Sequence, residues 1–199
     1  MQVLLATKNQ GKITEVKEIL RDTGIELVDI KSLNVDVSVA EDGKTFEENA
    51  LKKAYAYHVA TGLPCMADDS GLEVDCLNGE PGVYTARYAG EKATDKDNIA
   101  KLLYEMRSVP RENRSARFVC AIALVLTDGT VIITKASCEG IIAFEERGNG
   151  GFGYDPVFYV PEYKKTFAEL DEEVKNHISH RAKALAKMKR YLEKLGVIV

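Results

Sequence analysis

Tryptophan is absent from the 199 residues, and histidine (three), methionine (four) and proline (five) are scarce. Scattered histidines make no ligand pair. The four cysteines, Cys65, Cys76, Cys120 and Cys138, nowhere stand in Cys-x-x-Cys spacing. Zinc is therefore not expected, and the cysteines read as small hydrophobes in a reducing cytoplasm rather than as a disulfide framework. A basic excess is also missing. The 27 Lys and Arg are outnumbered by 31 Asp and Glu, for a formal charge of −4, which is the wrong sign for a general nucleic-acid binder. No apolar run approaches the roughly 18 residues of a membrane helix. The opening Met1-Gln2-Val3-Leu4-Leu5 is too short and too uncharged for a signal peptide. These absences predict a cytoplasmic protein with neither a nucleic-acid nor a membrane partner.

What is present suits a packed core. Hydrophobic residues make up 45% and charged residues 29%, so disorder is excluded. The length fits one domain, 1–199, or two lobes sharing a core. Val3 to Ala6 reads as a buried strand, followed by the polar turn Thr7-Lys8-Asn9-Gln10-Gly11 and a helix from Lys12, with Ile13, Val16, Ile19 and Leu20 on one face. Glu26 to Ile30 suggests a second strand. Thr45-Phe46-Glu47-Glu48 is a capping box, and its helix runs toward Gly62. Pro64 to Val74 reads as strand, acidic turn, strand. A helix over Asp95–Met106 follows. Ala116–Leu126 and Thr130–Ile142 then form a hairpin about Thr127-Asp128-Gly129. The last helix starts at Ser179, buries Leu185, Met188, Leu192 and Leu195, and stops at Gly196. Helices and strands interleave, with one long antiparallel hairpin, so the fold is α/β with a mixed sheet.

Four clusters carry chemistry. In Thr7–Lys12, a turn leading into a helix leaves backbone N–H groups at the positive dipole end, and two lysines add charge. This suits phosphate, although the Walker A spacing is absent. In Ala67-Asp68-Asp69-Ser70-Gly71 two adjacent carboxylates repel unless a cation compensates, and Mg²⁺ or a solvated Asx turn are equal readings, with Glu41 and Asp42 as further oxygen donors. In Gly148–Pro156 four glycines alternate with Phe152, Tyr154 and Asp155. The aromatics can stack on a flat base, and the carboxylate can accept from ring N–H groups. In Lys175–Arg181, His180 and Arg181 fall in the first turn of a helix, where positive charge opposes the dipole. A locally unfavourable residue predicts a compensating anion or polar group. Leu77–Gly90 stands apart as a shaped loop, long enough to wall a pocket or contact a second subunit.

Taken together and in order, these motifs resemble the inosine triphosphate pyrophosphatase family. The resemblance runs from end to end. It rests on Ala6–Lys12, Thr45–Ala50, Ala67–Leu72, Pro81–Tyr88, Gly151–Pro156 and Ser179-His180-Arg181, with Glu146 departing from the proline that many members carry before Arg-Gly. The resemblance implies an elongated mixed β-sheet flanked by helices, with two lobes about a central cleft as in ITPase-like and Maf-like proteins. It also implies a homodimer, Mg²⁺ dependence, and hydrolysis of purine nucleoside triphosphates such as ITP, dITP and XTP to the monophosphate and pyrophosphate. By motif, Thr7, Lys8, Asn9, Gln10, Gly11 and Lys12 bind the triphosphate, and Glu41 and Asp69 bind metal, with Asp69 the base that activates water. Ser70, Phe152, Gly153, Tyr154, Asp155, Lys175, His180 and Arg181 bind the rest of the substrate. A carboxylate beside Mg²⁺ is expected to have a low pKa. The rival readings are a related pyrophosphatase acting on modified pyrimidine or standard triphosphates, and a non-catalytic nucleotide- or RNA-binding module.

Overall fold

The computed structural model describes every residue except Asn34, Asp36, Val197 and Val199. Seven strands and five helices follow in the order β1 (Gln2–Leu5), α1 (Gln10–Ile19), β2 (Glu26–Asp29), α2 (Phe46–Thr61), β3 (Cys65–Val74), α3 (Asp95–Glu105), β4 (Ser115–Val125), β5 (Val131–Ile142), β6 (Phe158–Val160), β7 (Lys165–Thr166), α4 (Glu172–Ile178) and α5 (His180–Lys194). The sheet order is β2-β1-β3-β4-β5-β6-β7. β1 runs parallel to β2 and β3, and β6 runs antiparallel to β5 and β7. The mixed α/β sheet expected from the sequence is what forms.

Two compact units divide the chain. Unit 1 comprises 1–69, 120–136 and 180–199, and unit 2 comprises 70–119 and 137–179. Each has its own apolar core. In unit 1, Val3, Leu5, Met66, Ile122 and Leu124 from the strands pack with Ile13 and Val16 of α1 and Leu185, Met188 and Leu192 of α5. In unit 2, Leu72, Val74, Ile99, Leu102, Met106 and Phe118 pack with Phe158 and Phe167. The three phenylalanine rings of that core lie 4.6 to 5.6 Å apart between centroids, a spacing that adds specific aromatic contacts to plain area burial.

Several local expectations need correction. α1 begins at Gln10, not Lys12, because Asn9 accepts the Lys12 N–H at 3.2 Å and so caps the helix. Asp68 and Asp69 do not sit in a turn. They lie inside the unbroken ten-residue strand β3, both buried, so the solvated Asx turn is rejected. Leu195 is exposed, because α5 has ended at Lys194 before it. The short helix α4 was not foreseen. Elsewhere the sequence signals hold. Thr45 accepts from the Glu48 N–H, Glu48 reaches back to the Lys44 N–H, and Gly62 ends α2 in a left-handed conformation at φ 70°.

Candidate active site

Strand geometry explains how two adjacent aspartates are tolerated in a core. Successive side chains on a strand point to opposite faces, so Asp68 and Asp69 meet different helices. Asp68 shares its face with Met66, which packs in the core with α1 and α5. There its Oδ2 receives Lys12 Nζ at 3.0 Å, Arg181 Nη2 at 3.2 Å and Arg181 Nε at 3.3 Å. Arg181, 1% exposed, also donates from Nη1 to Glu15 on α1. Burial alone would raise the Asp68 carboxyl, but Lys12, Arg181 and Lys53 hold it well below the usual carboxylate range. The same carboxylates keep Arg181 firmly charged against the opposing effect of burial. All three cationic contacts fall on one oxygen. The other, Oδ1, is buried without a hydrogen-bond partner among the described residues.

Asp69 takes its partners from α2. Its Oδ2 accepts from Asn49 Nδ2 at 3.0 Å, and its Oδ1 lies 3.6 Å from Lys53 Nζ. Lys53 is also 3.3 Å from Glu41 Oε1. Burial pushes the Asp69 carboxyl above its ordinary value in spite of Lys53, Lys12 and the Asn49 hydrogen bond. Lys53 is raised as well, because Asp69, Asp68 and Glu41 outweigh its desolvation. An ammonium group thus stands between Glu41 and Asp69. Among the described residues no group of three His, Cys, Asp or Glu is arranged to hold a metal.

The Thr7–Lys12 turn leads directly into α1. Thr7 Oγ1 accepts the Asn9 N–H at 3.2 Å, and α1 carries no acidic residue in its first turn, whereas α2, α3 and α4 each carry two. The first-turn N–H groups of a helix lack intrahelical partners, so Gln10 and Gly11 lie at an anion-attracting end. α5 likewise begins without acid, and its His180 and Arg181 are buried. The anion that sequence reasoning required beside Arg181 is the Asp68–Glu15 pair. Unit 1 therefore brings Lys12, Arg181, Glu41 and Asp69 into one charged network with Asp68.

In unit 2 the remaining predicted residues form a second cluster. Lys175, buried, places Nζ 2.6 Å from Asp155 Oδ2 and 4.8 Å from the centre of the Phe152 ring. Asp155 Oδ2 also accepts the Phe152 N–H at 2.9 Å. Gly151, at φ 73°, cannot be replaced without strain, because a Cβ there would collide with the Asp155 carboxylate. Tyr154 is buried, and its hydroxyl donates to Thr85 O at 2.8 Å. Ser70, half-buried, lies on β3. The Leu77–Gly90 loop is anchored by Asn98, which accepts from the Ala89 N–H and donates to Ala86 O, and by Lys101, which donates to Tyr88 O.

Sequence reasoning missed Glu15, Asn49 and Lys53. A signal existed. Each is a polar residue on or beside the inward stripe of its helix: Glu15 between Ile13 and Val16, and Asn49 and Lys53 four apart beside Ala50 and Ala54. A charge on an apolar face implies a buried partner.

Comparison with known proteins follows the same architecture. A family model described as "Ham1 family" matches residues 3–191. The dITP/XTP pyrophosphatase of Desulforamulus reducens is 53% identical, covering 99% of this chain and 98% of its own. The Ham1 protein of Staphylococcus aureus superposes with a TM-score of 0.87 at 44% identity, over 98% of this chain and 99% of that one. A HAM1 protein from Coxiella burnetii superposes with a TM-score of 0.88 at 43% identity over the same shares. Since both the sequence likeness and the superpositions extend over nearly the whole length, the chain belongs to the Ham1 family.

Proposed function

We propose that this protein hydrolyses non-standard purine nucleoside triphosphates, dITP, ITP and XTP, to the monophosphate and pyrophosphate, and so clears deaminated purines from the nucleotide pool. The observation that carries the reading is Asp69: a buried carboxylate in mid-strand, fixed by Asn49 and pushed above its ordinary value by burial. The pyrophosphatase activity named for the Desulforamulus reducens relative supports it.

In this mechanism Thr7 to Lys12 hold the triphosphate through backbone N–H groups and lysine charge. Asp69 accepts the proton of the attacking water at Oδ1, the oxygen not engaged by Asn49. Water adds to the α-phosphorus and the bond to the bridging oxygen breaks, which releases pyrophosphate. Label from isotopically enriched water is then expected in the monophosphate alone. Phe152 offers its ring to the purine. Lys175, beside Phe152, is the donor for the base, suited to the 6-carbonyl of hypoxanthine and xanthine and mismatched with the amino group of adenine.

Two oxygen donors, Glu41 and Asp69, already flank one positive charge, that of Lys53, which is the chemistry a divalent cation needs. Glu41 and Asp69 would hold Mg²⁺, which when bound supplies charge neutralisation to the leaving pyrophosphate. The family likeness also carries a homodimer in the cytoplasm. No helix among the described residues is long and apolar enough to cross a membrane.

The test is pyrophosphate release with Mg²⁺ across a panel of ITP, dITP, XTP, GTP, ATP and modified pyrimidine triphosphates. Preference for the first three supports the reading. Preference for a pyrimidine or for ATP replaces it with a different pyrophosphatase, and binding without turnover replaces it with a nucleotide-binding module. Light scattering tests the dimer.

A further inference from the structure

The loop that carries Phe152 is rich in glycine but not loose. Four of its N–H groups have acceptors. Gly150 donates to Ala168 O at 3.1 Å, Phe152 to Asp155 Oδ2 at 2.9 Å and Asp155 to Phe152 O at 3.3 Å. Gly153 donates to Asp95 Oδ2 at 2.8 Å, across 58 residues of sequence. Asp95 is the first residue of α3, and it is exposed.

Asp95 is not needed to cap its own helix. Thr94 and Asp97 form a complete capping box: Thr94 Oγ1 accepts the Asp97 N–H, and Asp97 Oδ2 accepts the Thr94 N–H at 2.8 Å. The Asp95 carboxylate is thereby left to reach out of the helix. A hydrogen bond from an N–H to a carboxylate is stronger than one to a neutral oxygen. Gly153 sits at φ 59°, a conformation other residues rarely adopt, and the bond to Asp95 fixes it there. The same helix holds the neighbouring Leu77–Gly90 loop through Asn98 and Lys101. Thr85 of that loop accepts the Tyr154 hydroxyl. The glycine-aromatic loop is thus held by α3 directly at Gly153, and through an intermediate at Tyr154.

We infer that Asp95 is a positioning residue for substrate recognition: by binding the Gly153 N–H it sets the pose of Phe152 beside Lys175. The inference rests on the reading of this cluster as the purine-binding part of a pyrophosphatase. Asp95 touches no reacting atom in this scheme, so its loss weakens binding and spares the chemical step.

The experiment compares wild type with Asp95→Ala, Asp95→Asn and Asp97→Ala by ITP kinetics and by amide hydrogen exchange resolved at Gly153. In Asp95→Ala, exchange at Gly153 speeds up and KM rises about tenfold, with kcat within about twofold of wild type. Asp95→Asn, which keeps an acceptor oxygen, recovers most of both. Asp97→Ala strips the capping box, lowers the melting temperature and leaves KM alone. The inference is overturned by a wild-type KM in Asp95→Ala, by unchanged Gly153 exchange, or by an equal KM rise in Asp97→Ala. If the wild-type protein itself fails to turn over ITP, the proposed function falls. Gly153 exchange then still decides whether Asp95 holds the loop.

Discussion

The two units use carboxylates in opposite ways. In unit 1, Asp68 and Asp69 are buried in mid-strand and meet Lys12, Arg181 and Lys53, with Asn49 the neutral partner. In unit 2, Asp155 and Asp95 bind main-chain N–H groups of one loop, and a single lysine completes the buried charge. The first arrangement balances buried carboxylates with side-chain cations. The second uses charge to hold a backbone still. The difference teaches that burial of an aspartate does not by itself mark a reacting group; its partners, side-chain cations in one case and main-chain N–H groups in the other, set what it does.

The comparison breaks most visibly at Asp69. Asp69→Asn is expected to lower kcat for pyrophosphate release by about 10²- to 10⁴-fold, the range for a lost general base, with the fold retained by circular dichroism. Asp155→Asn should act on KM instead. Equal kcat losses in the two variants would erase the contrast. The next largest effect falls on stability. Arg181→Ala leaves Asp68 and Glu15 buried without their shared guanidinium and should cost about 3–5 kcal/mol in urea unfolding. Lys175→Ala should cost less, since Asp155 keeps the Phe152 N–H. Gly151→Ala sharpens the view of unit 2. A left-handed backbone and a collision with Asp155 should cost about 1–3 kcal/mol and raise KM for ITP. The smallest effect is chemical. Burial pushes the Cys65 and Cys120 thiols up to about 12, and Cys138 is buried too, so a thiol reagent should modify Cys76 alone in the native protein. Modification of a second thiol before unfolding would contradict that burial.

Much of this was legible in the sequence where the signal was local. The β1–turn–α1 opening, the Thr45 cap of α2 and the Thr127-Asp128-Gly129 hairpin depend on neighbouring residues, and all three form, although Glu48 reaches back to the Lys44 N–H rather than to Thr45. The acidic motif was expected to need a cation, and one that it meets is Lys12, 3.0 Å from Asp68. What escaped was non-local. Two aspartates in a row argue for a turn on propensity. β3 runs straight through them only because Lys12, Arg181, Asn49 and Lys53 arrive from three helices. No window of sequence around Asp68 contains that compensation. Nor does the neighbourhood of Gly153 contain Asp95.

The ion pair between Asp68 and Arg181 joins residues 113 positions apart, and this separation bears on how the protein is made. Loop-closure entropy grows only slowly with length, but contacts between distant residues slow folding. A ribosome has already synthesised all of unit 2, through Ser179, before it reaches the arginine that neutralises Asp68. The segment translated first therefore waits for one of the latest before Asp68 can meet its guanidinium. Chain growth itself gives unit 2 a head start.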